Sequence, residues 1–359
     1  MGDPVVITTM DETNLLPLER VFKRKAAEKS GIPYPNEQYF DRYSGIVNYL
    51  RESIYPFIDA GLAALSEDEG IYTDHGPDHF DEVVRYAGYL LGCENGSESV
   101  DQLSTYELYV LLVAIRLHDA GNMYGRERHE KKAFDLLREM GPLSGPDEFE
   151  KRFIAGIAEA HGGKTIGGDR DTIGRLTESK KWGSVEIKPR VLAAIVRFAD
   201  EICESRPRAA TVLLVNNALP RKNEIFHKYA ECIKAVNVKS KEKSLEIEFG
   251  FMVDDALRKW GKGVAPNQTE DVFLMDEILD RLEKMFRERQ YCARYMRGFC
   301  DVERIRANVE IFDSEGQPVK EIEIPSDEEG YPESSSSLRT KYIDGAALEA
   351  ELRSARESI

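Results

Sequence analysis

The chain has 359 residues, enough for one large domain and a smaller one, with the composition of a soluble globular protein. A formal net charge of -16 excludes a general nucleic-acid-binding surface, which would be basic, but leaves room for a small basic pocket around a phosphorylated ligand. The five cysteines, Cys93, Cys203, Cys232, Cys292 and Cys300, include no C-x-x-C pair, which removes support for a structural zinc site and suits a reducing cytosol.

Met1 to Arg20 carries acidic residues and no long apolar run, so it does not read as a secretory signal. No segment has the length and apolarity of a membrane span, and the expected location is cytoplasmic. Residues 1–37 read as an N-terminal arm with one short helix, Leu15 to Lys29, ended by Pro33 and Pro35. From Gln38 to Leu65, Tyr43, Ile46, Val47, Leu50, Ile54, Phe57, Ile58 and Leu62 return with a helical period, and Pro56 predicts a kink. Thr73-Asp74-His75-Gly76-Pro77-Asp78-His79 is rich in turn formers and leads into a helix running to about Leu91. Ser104 can cap the next helix with Glu107 as its capping-box partner, and Leu108, Leu111, Leu112, Ile115 and Leu117 give that helix a broad apolar stripe. Further helices are predicted from His129 to Gly141, from Pro146 to His161 with Gly162-Gly163 as the stop, and from Lys188 to Ser205. Gly167 to Val185 reads as a polar, exposed loop.

These elements make a helical domain over residues 38–210. Composition changes after Arg206-Pro207-Arg208, and residues 211–325 read as an α+β segment. Cys232 to Val238 and Leu245 to Met252 look like paired strands, with Lys239 to Lys243 as the turn; Leu245, Ile247, Phe249 and Phe251 alternate with polar partners. Gln268 to about Cys300 reads as a long amphipathic helix. Val309 to Phe312 and Val319 to Ile324 read as a hairpin turning through Asp313-Ser314-Glu315-Gly316. Residues 326–359 are acidic and serine-rich and read as a flexible tail with a short terminal helix from Ala346. The expected fold is mostly α: an all-helical metal-binding core with a smaller α+β C-terminal segment.

The chemistry centres on Leu117-His118-Asp119-Ala120-Gly121, two adjacent metal-capable side chains at the end of an apolar helix. Such a pair is costly to bury without a partner. Adjacent residues point about 100° apart on a helix, so His118 and Asp119 can meet one cation only where the helix is ending, and Gly121 marks that end. Five of the 6 histidines lie between Asp74 and Gly163, and His79, His118, His129 and His161 each fall at a predicted helix end. Asp200 places a carboxylate in an otherwise apolar run and needs a counter-charge, which a metal ion can provide. Taken singly, His79 or His161 is an ordinary helix-end histidine; taken with His118-Asp119 and Asp200 they form a ligand set. His227 lies outside this set and reads as a surface or packing residue.

His79, His118-Asp119 and Asp200 resemble the H…HD…D ligands of the HD superfamily of metal-dependent phosphohydrolases, over roughly Tyr72 to Arg208. The resemblance implies an all-helical HD-type core, one or two divalent metal ions, and hydrolysis of a phosphomonoester, a phosphodiester or a nucleoside triphosphate. His129 and His161 resemble the extra histidines of dinuclear branches, which include the diadenosine tetraphosphate hydrolases and the HD-GYP phosphodiesterases. By that analogy one metal takes His79, His118, Asp119 and Asp200, and a second takes Asp119, His129 and His161. The chain departs from these branches at Asn122, where HD-GYP proteins carry a lysine, and it has no G-Y-P. Asn122 and Arg128-His129-Glu130 also differ from the deoxynucleotide triphosphohydrolase pattern. Thr73-Asp74-His75-Gly76 together with Arg206-Pro207-Arg208 is more similar to HD domains found near Hsp90-like ATPases.

Imidazole and carboxylate ligands suit iron, manganese, zinc, nickel or magnesium, and a bound cation gives hydroxide near neutral pH. Phosphoryl transfer also wants positive charge on the non-bridging oxygens, for which Arg126, Arg128, Lys164, Arg206 and Arg208 are candidates. Asp119, His75 and Lys164 are the candidate catalytic residues, with His75 and Asp78 beside His79 able to orient a ligand or serve as acid. The expected substrate is a nucleotide or a related small phosphorylated molecule, with no long nucleic acid and no membrane as partner. The alternatives are a cyclic or linear (di)nucleotide phosphodiesterase, a non-catalytic metal-bound sensor or interaction module, and a homo-oligomer built on the long helix.

Overall fold

Helices dominate the chain, largely where the apolar periods predict them. The computed structural model describes residues 10, 12–58, 76–94, 99–125, 127–165, 167–265, 268–326 and 338–357. By their contacts, the described residues of Met1–Ala64, His75–Cys203 and Cys292–Asp301 form one unit, and those of Glu204–Tyr291 and Val302–Ile359 form a second.

The first unit holds seven α-helices among its described residues: α1 (Pro17–Ala27), α2 (Tyr39–Ser53), α3 (Pro77–Leu90), α4 (Thr105–Leu117), α5 (Ala133–Glu139), α6 (Glu148–Glu159) and α7 (Pro189–Glu201). The capping box opens α4 as expected: Glu107 N–H donates to Ser104 Oγ at 3.2 Å, and Ser104 N–H donates to Glu107 Oε2 at 2.9 Å. Every residue of α4 is buried, so it is a core helix enclosed on all sides rather than one with a single buried stripe, and Glu107 and Arg116 are its buried charges. Pro56 stops α2 instead of kinking it; the helix ends at Ser53 and a 3-10 turn, Tyr55–Phe57, follows. The rest of that predicted helix lies outside the described residues.

Two further expectations are corrected. His129 opens a 3-10 turn, His129–Lys132, and α5 starts only after it; Arg128 before the turn has φ 56°, a left-handed conformation that breaks continuity with what precedes. The segment Gly167 to Val185 is not an exposed loop throughout: it contains a short antiparallel hairpin, β1 (Lys180–Trp182) with β2 (Val185–Ile187), and Ile173 and Ile187 are fully buried. The core is therefore helical apart from this hairpin. Strands of three residues carry no readable period, which is why the sequence conceals them.

A buried charge network ties four of these helices together next to the HD pair. Arg116, fully buried on α4, donates to Glu19 of α1 at 2.8 Å and also to Asp81 of α3. Tyr43 of α2 donates to Glu19 at 2.5 Å and accepts from Arg116 Nε at 3.1 Å. Leu18 and Phe22 of α1 are fully buried in the same unit.

In the second unit the chain forms α8 (Thr211–Val215), α9 (Glu224–Cys232), β3 (Ile233–Lys239), β4 (Ser244–Met252), α10 (Val253–Leu257), β5 (Lys259–Ala265) and β6 (Gln268–Phe273). Then come α11 (Leu274–Met296), which counts with the second unit as far as Tyr291, β7 (Arg304–Phe312), β8 (Pro318–Ser326), α12 (Leu338–Lys341) and α13 (Gly345–Glu357). The strands make a four-stranded sheet in the order β3-β4-β7-β8, with β4 and β7 parallel and the outer pairs antiparallel. In register, Leu245 faces Ile305, Ile247 faces Ala307, Phe249 faces Val309 and Phe251 faces Ile311, so the alternation read from the sequence becomes one buried apolar face.

The long helix is shorter than predicted. Gln268–Phe273 is a strand paired with β5: Gln268 to Asp271 are polar and exposed, and the buried helical period begins only at Leu274. The terminal helix starts at Gly345 and buries Leu348, while the serine run lies outside the described residues. Among the described residues no helix is long and apolar enough to cross a membrane.

Candidate metal centre

Each histidine of the centre is set by the way a helix begins or ends. Gly76 and Pro77 start α3 and place His79 in its first turn, where its N–H donates to Gly76 O at 3.1 Å. His118 is the C-cap of α4. Asp119 then leaves the helix at φ -109° and ψ 1° and begins a 3-10 turn, Ala120–Tyr124, so the two neighbours diverge. His161 lies just past α6, and Asp200 lies in the last turn of α7.

These ends converge. His79 Nε2 is 3.3 Å and His118 Nε2 is 3.5 Å from Asp200 Oδ1. His129 Nε2 is 2.8 Å and His161 Nε2 is 3.4 Å from Asp119 Oδ1. The other Asp119 oxygen, Oδ2, lies 3.9 Å from both His79 Nε2 and His118 Nε2. His79, His118 and Asp200 thus form one group whose ligand atoms all lie within 4.8 Å of one another, and Asp119, His129 and His161 form a second. Either group could hold a metal ion, and Asp119 presents one oxygen to each.

The donor chemistry fits. His118 Nδ1 lies 2.7 Å from Ile115 O and His161 Nδ1 lies 2.6 Å from Ala158 O. A carbonyl can only accept, so each ring carries its proton on Nδ1 and turns Nε2 toward the centre. His118 Nε2 is buried and makes no hydrogen bond among the described residues, the condition of an atom that lacks its ligand. Burial opposes charge on His118, but the Asp119 and Asp200 carboxylates prevail and push the imidazole up to about 9. Burial would likewise raise Asp200, yet the His118 and His79 rings beside it hold its carboxyl well below the usual range. Without a cation, protons supply the positive charge that these carboxylates need. The side chain of Asp200 is 28% exposed against 12% for His129 and less for the other four, so solvent reaches the cluster chiefly at Asp200.

A family model described as HD-CE matches residues 70–284, well over half of the chain. The chain belongs to the HD-CE family. No curated protein and no solved structure shows a significant match to it. The HD-CE match takes in all six clustered residues and runs past Arg208 through the first turns of α11, so most of the helix-and-strand segment after Arg208 belongs to the family pattern too.

The remaining predicted residues of this HD-CE chain are placed less uniformly. His75 and Arg126 lie outside the described residues. Arg128 and Lys164 are exposed, each one to three residues from a clustered histidine. Arg206 and Arg208 belong to the second unit; Arg208 lies 3.8 Å from Glu204, and Arg206 lines a cavity of about 270 Å³ with Lys228, Lys234, Phe251 and Phe312. His227 is a packing residue: it is buried, and its Nδ1 accepts from Ala210 N–H at 3.0 Å.

Three participants escaped the sequence reading. Cys203 Sγ lies 3.6 Å from His79 Nδ1, where His118 and His161 have a backbone carbonyl. Glu130, buried under Gly163, places Oε2 3.6 Å from His129 Nδ1. Gly121 does more than mark a helix end: a Cβ there would sit 2.1 Å from His129 O, so only glycine lets the 3-10 turn of His129 come this close. Of these, only Glu130 had a signal, its place beside a candidate ligand.

Proposed function

We propose that this HD-CE protein is a metal-dependent phosphohydrolase that cleaves a phosphate ester or anhydride of a nucleotide or a related small molecule, with the helical first unit as an HD-type core. The observation that carries the reading is Asp119, which completes a group with His129 and His161 through Oδ1 and turns Oδ2 toward His79 and His118 of the other group. His79, His118, Asp200 and Asp119 Oδ2 would hold one divalent cation, and His129, His161 and Asp119 Oδ1 a second. Such cations supply Lewis-acid polarisation of phosphoryl oxygens and a water acidic enough to be hydroxide near neutral pH.

The protein's own residues supply the rest. The Ile115 and Ala158 carbonyls fix the ring tautomers, so no reorganisation is needed on ligand binding. The Arg116 network fixes α3 and α4, and through them His79 and His118. Lys164 and Arg128, exposed beside the clustered histidines, offer positive charge to the distal phosphates. The acidic chain repels a long polyanion, which favours a small substrate. The doubled cluster also favours a second reading, a (di)nucleotide phosphodiesterase, because the dinuclear branches it resembles include such enzymes.

The test is protein reconstituted with Mn²⁺, Fe²⁺ or Zn²⁺ and given nucleoside mono- and triphosphates, dinucleotides and a generic phosphodiester. Turnover of a nucleotide, lost on chelation and in Asp119→Ala, is the expected result. Cleavage of the generic diester and dinucleotides alone selects the phosphodiesterase reading. No turnover of anything by fully metal-loaded protein contradicts both.

A further inference from the structure

One helix end grips His79 from two sides. His79 Nε2 lies 3.3 Å from Asp200 Oδ1, and His79 Nδ1 lies 3.6 Å from Cys203 Sγ, within hydrogen-bond reach for sulfur. Asp200 sits in the last turn of α7, Ile202 is the C-cap, and Cys203 N–H donates to Asp200 O at 3.1 Å. The turn that closes the helix therefore fixes carboxylate and thiol relative to each other. His79 and Cys203 are both buried, and Cys203 stands outside both ligand groups. An imidazole that offers Nε2 to a cation must carry its proton on Nδ1. His118 and His161 follow the ends of their helices and have a carbonyl of the preceding turn at Nδ1. His79 stands at the start of its helix instead, and the atom that reaches its Nδ1 from the end of α7 is a sulfur.

Resting on the metal-centre reading, we infer that Cys203 is a positioning residue: its thiol sulfur accepts the Nδ1 proton of His79, locks the ring in the tautomer that presents Nε2, and so sets the affinity of the group His79, His118 and Asp200 for a divalent cation. A thiol is a weak acceptor in water. Here burial leaves little solvent to compete for the proton, which gives the contact its weight. A partner of this kind orients a ligand without touching the metal, and its loss costs roughly ten- to a hundredfold in metal affinity. Cys203 is thus neither a nucleophile nor a ligand; it acts through His79.

The test uses the full chain as wild type, Cys203→Val, Cys203→Ser, His79→Ala and the double variant His79→Ala/Cys203→Val. Valine fills the space of the thiol without an acceptor, and serine keeps one. The readouts are the melting temperature of the metal-free protein, Co²⁺ affinity by titration, and the visible spectrum of the Co²⁺ protein. Cys203→Val is expected to fold and to bind one Co²⁺ at least about tenfold more weakly with an altered spectrum, and Cys203→Ser to lose less. With His79→Ala already made, Cys203→Val should change nothing further, because the ring it acts through is gone. Should Cys203→Val fail to fold, Cys203→Ala reads the same point. Wild-type affinity and spectrum in the folded variant overturn the inference. So does an equal loss in the His79→Ala background, which would mean that Cys203 acts by packing or binds the metal itself. No readout needs turnover, so an inactive protein that binds Co²⁺ still decides the point. Wild type that binds no Co²⁺ contradicts the metal centre and the inference with it, whereas wild type that binds Co²⁺ beside an unaffected Cys203→Val removes the inference alone.

Discussion

His129 Nε2 lies 2.8 Å from Asp119 Oδ1, and this contact joins His129 to the second of the two groups that could hold a metal ion. It depends on Gly121, where a Cβ would meet His129 O at 2.1 Å and Lys132 Cβ at 2.8 Å. Gly121→Ala should therefore push the His129 turn away while His79, His118 and Asp200 stay in place. The expected variant is folded, destabilised by about 1–3 kcal/mol, and loses one of two bound metal ions. Metal analysis and urea unfolding of the same preparation check this; full metal content in Gly121→Ala would contradict it.

Glu19 and Arg116 are both fully buried and paired at 2.8 Å. Removing Glu19 leaves Arg116 with Asp81 as its remaining carboxylate and takes away the acceptor of both Arg116 Nη2 and the Tyr43 hydroxyl, at a cost of about 1–3 kcal/mol. Glu19→Ala should show a loss of that order in urea unfolding. A loss below about 1 kcal/mol would mean that the pair is solvated and does not fix α1 to α4.

Asp81 gives a pH dependence. Burial works to raise its carboxyl, and the Arg116 and Arg51 guanidinium groups outweigh burial and hold it below the usual carboxylate range. A carboxyl with a lower pKa folded than unfolded binds fewer protons when folded, so it stabilises the protein fully above its unfolded value of about 3.9. That stabilisation fades as pH falls through the lower folded value. The stability difference between wild type and Asp81→Asn should thus be constant from pH 7 to about pH 5 and shrink below about pH 4. A difference that does not change with pH would show that Asp81 contributes by packing alone.

Lys164 follows Gly162-Gly163 at the end of α6 and is exposed, three residues past His161. If it steadies a distal phosphate, Lys164→Ala loses one charge-assisted contact, about 1.5–3 kcal/mol, or roughly ten- to a hundredfold in kcat/KM on a nucleotide. Metal content should not change. Unchanged kinetics on every nucleotide tried would remove Lys164 from the substrate site.

What the sequence made legible was what local chemistry controls. Ser104 and Glu107 announced the start of α4, the period of Leu245 to Phe251 announced β4, and the helix-end positions of His79, His118 and His161 follow from glycine, proline and apolar period. What stayed hidden depends on close approach in space. Gly121 looks like a helix stop until the His129 turn is seen against it, and Cys203 looks inert until His79 is seen beside it. Gln268–Phe273 was read as helix because a helix adjoins it, whereas its pairing with Lys259–Ala265 is a non-local choice.

The central claim is that Asp119 joins two metal sites, and elemental analysis of metal-reconstituted protein tests it most directly. The expected result is two divalent ions per chain for wild type, one for His129→Ala, and none for Asp119→Ala, with helicity by circular dichroism unchanged in all three. A wild type that never exceeds one ion per chain, with His129→Ala binding the same amount, would contradict the claim and reduce the centre to His79, His118, Asp119 and Asp200.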